Sequence, residues 1–149
     1  MLSTFKIDWR SPVVIAVTLL VVIQGCSRPE EALRQRATEW GELITRLKVL
    51  SLEDAVEQLG DYLEPSAGRE ARATWYYEYW TRESMPSVVA FSVDEMLLNK
   101  QQTSGTVRYT VINQLEDGTK LMASVETRWL LVDGRWYRAI VASQGERLD

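Results

Sequence analysis

The sequence predicts an α+β domain in which N-terminal helices pack on a four-stranded antiparallel curved sheet, behind a cleaved leader. Three observations carry that prediction. Apolar residues recur at steps of three and four from Leu33 to Leu63, the spacing of amphipathic helices. After Pro86 the period switches to two, and the residues turn β-branched and aromatic. An eleven-residue apolar run, 13–23, follows a basic start (Lys6, Arg10) and precedes the chain's one cysteine, Cys26. These are the parts of a secretory signal peptide.

Ser27 and Glu30 read as a Ser-x-x-Glu capping box with Pro29 in the first turn, so a helix opens there. Leu33, Ala37, Trp40, Ile44 and Leu47 give it one apolar stripe running to about Lys48. Ser51 and Asp54 form a second box, opening a short helix whose Leu52, Ala55, Val56, Leu59 and Leu63 face one way. Gly60 weakens its end and Pro65 stops it. Ser66 is then expected to cap a third helix running to Arg82.

That third helix carries Trp75-Tyr76-Tyr77-Glu78-Tyr79-Trp80. At about 100° per residue, Trp75 and Tyr79 share a side, Tyr76 and Trp80 lie beside them, and Tyr77 sits further round. The aromatic arc spans roughly 200°, whereas facing one core takes roughly 100°. Either the helix is sandwiched between the sheet and the other helices, or Trp75, Tyr76, Tyr79 and Trp80 line a pocket or partner surface. Glu78 falls opposite Tyr76 and Trp80, where a solvated carboxylate is expected.

The strands are predicted over 87–98, 106–115, 119–132 and 135–143, with a polar turn over 101–105. The second and third can be registered from sequence. A two-residue Asp117-Gly118 turn would mix polar and apolar residues on both faces. A three-residue loop, Glu116-Asp117-Gly118 with Gly118 left-handed at a bulge, sorts them. Val107, Tyr109 and Val111 then oppose Thr127, Val125 and Ala123 on the core face, while Arg108, Thr110 and Ile112 meet Glu126, Ser124 and Met122 outside. For the Asp133-Gly134 hairpin the pattern leaves two choices: Trp136 and Ile140 face inward, or Tyr137, Ala139 and Val141 do. Ile112, Met122 and Leu130 on the outer face form either a homodimer patch or an ordinary solvated surface.

Composition narrows the chemistry. Beyond residue 25, 124 of the 149 residues remain, enough for one domain with one core. This part carries 15 Lys+Arg against 20 Asp+Glu, because Lys6, Arg10 and Asp8 lie in the leader. A net charge near −5, with no cationic block, disfavours nucleic acid. The chain has no histidine, which removes Cys/His zinc sites and Ser-His-Asp triads together. No P-loop or GxGxxG is present. No metal, cofactor or catalytic residue is therefore assigned.

Ile23-Gln24-Gly25-Cys26 resembles the lipobox of bacterial lipoproteins: an aliphatic residue, a small residue, Gly or Ala, then Cys. Ile23 and Gln24 depart from the commonest residues. The resemblance implies cleavage after Gly25, a diacylglyceryl group on the Cys26 sulfur, and acylation of the new amino group. Residues 1–25 are then a signal peptide, 26–28 a lipidated tether and 29–149 the domain. Ser27 in place of Asp after the cysteine implies the outer membrane, facing the periplasm, with the inner membrane the alternative. An uncleaved inner-membrane anchor and an ordinary buried cysteine are the competing readings of the same segment.

Helices followed by a meander ending in Trp129-Leu130-Leu131-Val132-Asp133-Gly134-Arg135-Trp136-Tyr137 resemble the cone fold of nuclear-transport-factor-2-like (NTF2-like) and SnoaL-like proteins. The resemblance implies a curved sheet wrapped around helices, a cavity between them and frequent dimers. It implies no single activity, since fold and function are separable. The leading expectation is a non-enzymatic, lipid-tethered envelope domain that binds a small ligand or an envelope protein. A lyase or isomerase using Tyr and a carboxylate in the cone is one alternative, and a secretion or conjugation subunit with an uncleaved anchor is another.

Overall fold

The structure, a computed structural model, describes residues 28–140. Gly25, Cys26, Ser27 and residues 141–143 of the predicted fourth strand lie outside the described residues, and within them that strand ends at Arg138 rather than continuing through residue 140. Three helices come first: α1 (Pro29–Arg46), followed by a 3-10 turn (Leu47–Val49), α2 (Leu52–Gly60) and α3 (Arg69–Thr81). The strands β1 (Ser87–Leu98), β2 (Ser104–Gln114), β3 (Lys120–Val132) and β4 (Arg135–Arg138) form one antiparallel sheet in chain order.

The α1 stripe is buried as its spacing requires: Leu33, Ala37, Trp40, Ile44 and Leu47 are all at most 3% exposed. The residue at the N-cap is Arg28, which makes no side-chain cap, so no capping box closes within the described residues. Pro29 at the first helical position needs no donor there. The second box is real. Ser51 Oγ accepts from the Asp54 backbone N–H at 3.1 Å, and Ala55, Leu59 and Leu63 are buried. Leu52 does not join them. It occupies the first helical position, turned outward and 49% exposed.

The third helix starts three residues later than Ser66. Residues 66–68 instead form a turn in which the Ser66 carbonyl accepts from Arg69 N–H at 3.2 Å, and the N-cap is Gly68. The polar turn before β2 is likewise shorter than expected. Asn99 Oδ1 accepts from the backbone N–H of both Thr103 and Ser104. That closes the loop early, and Ser104 and Gly105 already pair with β3.

The β2–β3 register matches the sequence expectation pair for pair, with Val107 opposite Thr127, Tyr109 opposite Val125 and Arg108 opposite Glu126. Gly118 has φ +85°, and Leu115 N–H donates to the Thr119 carbonyl at 2.9 Å. This is the left-handed bulge position that favours glycine. Arg108 reaches Glu95 at 2.8 Å and Glu126 at 3.7 Å. The last hairpin turns on Asp133 and Gly134, with φ 49° and 79°. It settles the open choice: Trp136 is buried, with Ile140 packed against the core.

Irregular pairing of β1 between Val88 and Ala90, and again between Val93 and Glu95, bends that strand, and α1 lies against it. Contact is closest at Gly41, where an added Cβ would stand 2.8 Å from Phe91 Cδ1 and 3.2 Å from Phe91 Cβ. Alanine at position 41 gains about 1 kcal/mol of helix propensity. It loses about 1–3 kcal/mol to overpacking, because the clash includes the root of the ring. Gly41→Ala is therefore expected to lower urea-denaturation stability by on the order of 1 kcal/mol; a more stable variant would show that Phe91 swings clear.

Candidate functional site

The inner face of the sheet carries a polar island within an aromatic core. Tyr109 on β2, Thr127 and Trp129 on β3, and Trp136 and Arg138 on β4 alternate onto this face. Trp129 Nε1 donates to Thr127 Oγ1 at 2.8 Å. The Tyr109 ring meets Phe91 edge to face, with centroids 4.7 Å apart, and its buried hydroxyl closes no hydrogen bond of good geometry, although Thr127 and Trp129 stand near enough to favour its ionised form.

Arg138 is fixed at its backbone from outside the sheet. Its N–H donates to the Tyr62 carbonyl at 2.7 Å, and its carbonyl accepts from Glu64 N–H at 3.1 Å. The segment after α2 thus clamps β4 and holds the Arg138 side chain inward. There the guanidinium carbon lies 4.9 Å from the Trp40 ring centre and 4.5 Å from that of Tyr76. Nε and Nη1 are buried and unpartnered, although the residue as a whole keeps some accessible surface.

Electrostatics set this arginine apart. Burial lowers its pKa below the ordinary value, opposed by Tyr76 and Tyr109 and reinforced by the charge of Arg72. Arginine remains protonated nonetheless. Burial raises the Tyr109 hydroxyl pKa well above its ordinary value. Among the described residues, no carboxylate pairs with Arg138. Arg36 shows the contrast: it lies 3.8 Å over Tyr62, reaches Glu39 at 3.6 Å and Asp61 at 3.8 Å, and donates to two backbone carbonyls. Two π faces offset part of the desolvation of Arg138, roughly 2 kcal/mol for a desolvated contact, and Tyr76 hydrogen bonding favours the charged form, but Nε and Nη1 close no hydrogen bond.

The aromatic helix turns some of its rings toward the core and leaves others at the surface. It is not sandwiched: α3 packs on α2 and the 3-10 turn, and Ala73 is its only fully buried residue. Tyr76 and Trp80 reach in toward the core, with Tyr76 edge to face on Trp40 at 5.6 Å. Tyr77 donates to the Leu50 carbonyl at 3.2 Å. Trp75, 42% exposed, stacks on Tyr79 with centroids 5.2 Å apart. Arg72 and Arg82 cover the two outer rings at 5.5 Å. Glu78 is solvated, as expected. The rings therefore run from the surface, through Trp75 and Tyr76, to Arg138.

Sequence reasoning missed Arg138. Its signal was available only through the hairpin: if Trp136 faces in, residue 138 does too. The closest described pairing of a carboxylate with a tyrosine hydroxyl is Glu39 with Tyr62, at 3.5 Å, and the Glu39 side chain is 39% exposed. No group of three or more potential metal ligands occurs among the described residues. Two open surface clefts, of about 760 and 640 Å³, lie elsewhere, one between α2 and α3 and the other beside Met85 and Leu115.

Solved structures share this architecture at low sequence identity. The NTF2-like chain Rd1NTF2_05 matches with a TM-score of 0.50 at 15% identity, covering 71% of this chain and 88% of that one. A Campylobacter jejuni protein named as an NTF2-like transpeptidase gives 0.48 at 15% identity, over 77% of this chain and 100% of that one. A SEC-C motif containing protein from Rhodopseudomonas palustris gives 0.45 at 14% identity over 59% of this chain, which spans 65% of that protein's length. Three helices on a four-stranded antiparallel sheet, with the match to Rd1NTF2_05, make the fold an NTF2-like cone. No protein-family model and no curated protein matches the chain.

Proposed function

We propose that this chain is a lipid-anchored domain of the bacterial cell envelope whose cone interior binds a small ligand without transforming it. The observation that carries the reading is the polar island: buried, unpartnered donors at Tyr109 and Arg138, fixed by the sheet and walled by Trp40 and Tyr76. Such donors are costly to leave unmet, by about 1–3 kcal/mol each and more when charged, and a ligand is one means of meeting them. A lyase or isomerase would need a proton acceptor in the interior. The described core holds no buried carboxylate, its buried polar groups being Thr127, the Tyr109 hydroxyl and the Arg138 guanidinium. The anchor rests on Ile23-Gln24-Gly25-Cys26, and Ser27 after the cysteine favours the outer membrane.

The test is thermal unfolding of the full-length protein against a mixed set of small anionic, cationic and neutral aromatic compounds. A ligand at a hundred times its Kd stabilises by about 2.7 kcal/mol. That raises Tm by on the order of 10 °C for a domain of this size. Stabilisation without turnover of the compound supports the reading. Turnover, or no stabilisation by any member of the set, overturns it.

A further inference from the structure

We propose that the Arg138 guanidinium is the head-group site for a carboxylate with an aryl-sized apolar body, seated between β4 and the aromatic face of α3. This inference rests on the cone-interior binding proposed above and adds the class of ligand.

Four observations converge on it. The charge is single, buried and without a counter-ion among the described residues, so it matches a monoanion. The unmet donors Nε and Nη1 sit on different edges of the guanidinium, so a carboxylate pairs with one of them together with Nη2 by two N–H···O bonds. The buried Tyr109 hydroxyl is a further donor on the same inner face. Finally, Tyr76 and Trp75 pack edge to face at 5.1 Å and continue to the Trp75–Tyr79 stack at the surface. An apolar body attached to the carboxylate would lie along those rings.

Access and charge are consistent with this arrangement. Nε and Nη1 have no accessible surface, so the head group reaches them only when Tyr76, which is half-buried, swings aside. Tyr76 stands on the helix with the fewest buried residues, entered through the exposed turn at residues 66–68. Arg72, one turn before Tyr76, makes no salt bridge among the described residues and places a second positive charge beside this route. The path of aromatic rings, which a free phosphate cannot use, is what selects an organic carboxylate over phosphate.

The probes are 1-naphthoate, its neutral carboxamide and inorganic phosphate, each titrated by thermal unfolding into full-length protein and into Arg138→Met and Arg138→Lys. Naphthoate is expected to bind wild type roughly tenfold or more tighter than the carboxamide, and phosphate to give no shift. Arg138→Met should keep or raise the unliganded Tm, because it removes an unpaired buried charge and leaves an apolar chain between the rings. It should also lose the naphthoate shift. Arg138→Lys should retain a weaker one, as a point charge without the planar fork. Equal binding of naphthoate and carboxamide, or undiminished naphthoate binding by Arg138→Met, overturns the carboxylate site while leaving cone-interior binding intact. If no probe binds and the mixed set also fails, both readings fall. If Arg138→Met does not fold, the Arg138→Lys and carboxamide comparisons decide.

Discussion

Trp40→Ala is expected to lower the unfolding free energy by about 3–5 kcal/mol, at the upper end for truncation of a core side chain. Trp40 is 2% exposed and stands where α1, the end of α2, α3 and β4 meet. Its ring packs edge to face on Tyr62 at 5.8 Å and on Tyr76 at 5.6 Å, and Arg138 lies over it. Alanine would leave a void that no single element can close, because each wall is held elsewhere. Trp136 Nε1 donates to the Pro29 carbonyl at 3.0 Å, and Tyr62 is fixed through the Arg138 backbone. The variant would also strip one of two π faces from a desolvated cation, adding about 1–2 kcal/mol. Trp40→Phe keeps a ring and should lose less than half as much. Urea denaturation of both variants checks the ordering; a loss below 1 kcal/mol for Trp40→Ala would mean that α3 collapses onto the site.

The same junction explains what sequence could and could not reveal. The α1 stripe and the β2–β3 register are local patterns, set by periodicity and one bulge, and both are readable because a one-residue slip would put charges in the core. Arg108 opposite Glu126 follows directly. The start of α3 was harder to place. Ser66 has the composition of a cap, but its carbonyl is engaged in a turn instead. The exposure of Leu52 shows the limit of a stripe at a helix end, where the first residue is not yet committed to a face.

Arg138 escaped for a different reason. Its inward direction follows from Trp136 by strand alternation, but the sequence pattern leaves the face of that hairpin open, and the Leu63–Arg138 bridge that pins the end of β4 joins segments far apart in sequence. That no carboxylate among the described residues pairs with it is a three-dimensional fact that no local pattern encodes. The four aromatics on α3 were visible as a surplus. Only the placement of Trp40 and Arg138 shows that Tyr76 belongs to the interior while Trp75 and Tyr79 do not.

Cys26→Ala is expected to abolish fatty-acid labelling and shift the protein from the membrane to the soluble fraction. Each buried methylene contributes about 0.8 kcal/mol, so one chain binds reversibly whereas the two or three of a mature lipoprotein hold firmly. The run 13–23 offers no equal substitute, since a helix needs roughly twenty apolar residues to cross the bilayer core. Intact mass separates the alternatives. Loss of residues 1–25 with added acyl mass supports the lipoprotein. Retention of those residues, with Cys26→Ala still in the membrane, supports an uncleaved anchor and overturns lipidation. Gln24 is the position where the lipobox is weakest, so Gln24→Ala should speed processing if a signal peptidase acts here. A lipid on Cys26 would also constrain the ligand site. Residues 26–28 reach at most about 11 Å, so α1, which begins at Pro29, would hold the cone close to the bilayer, where a carboxylate with an apolar body concentrates.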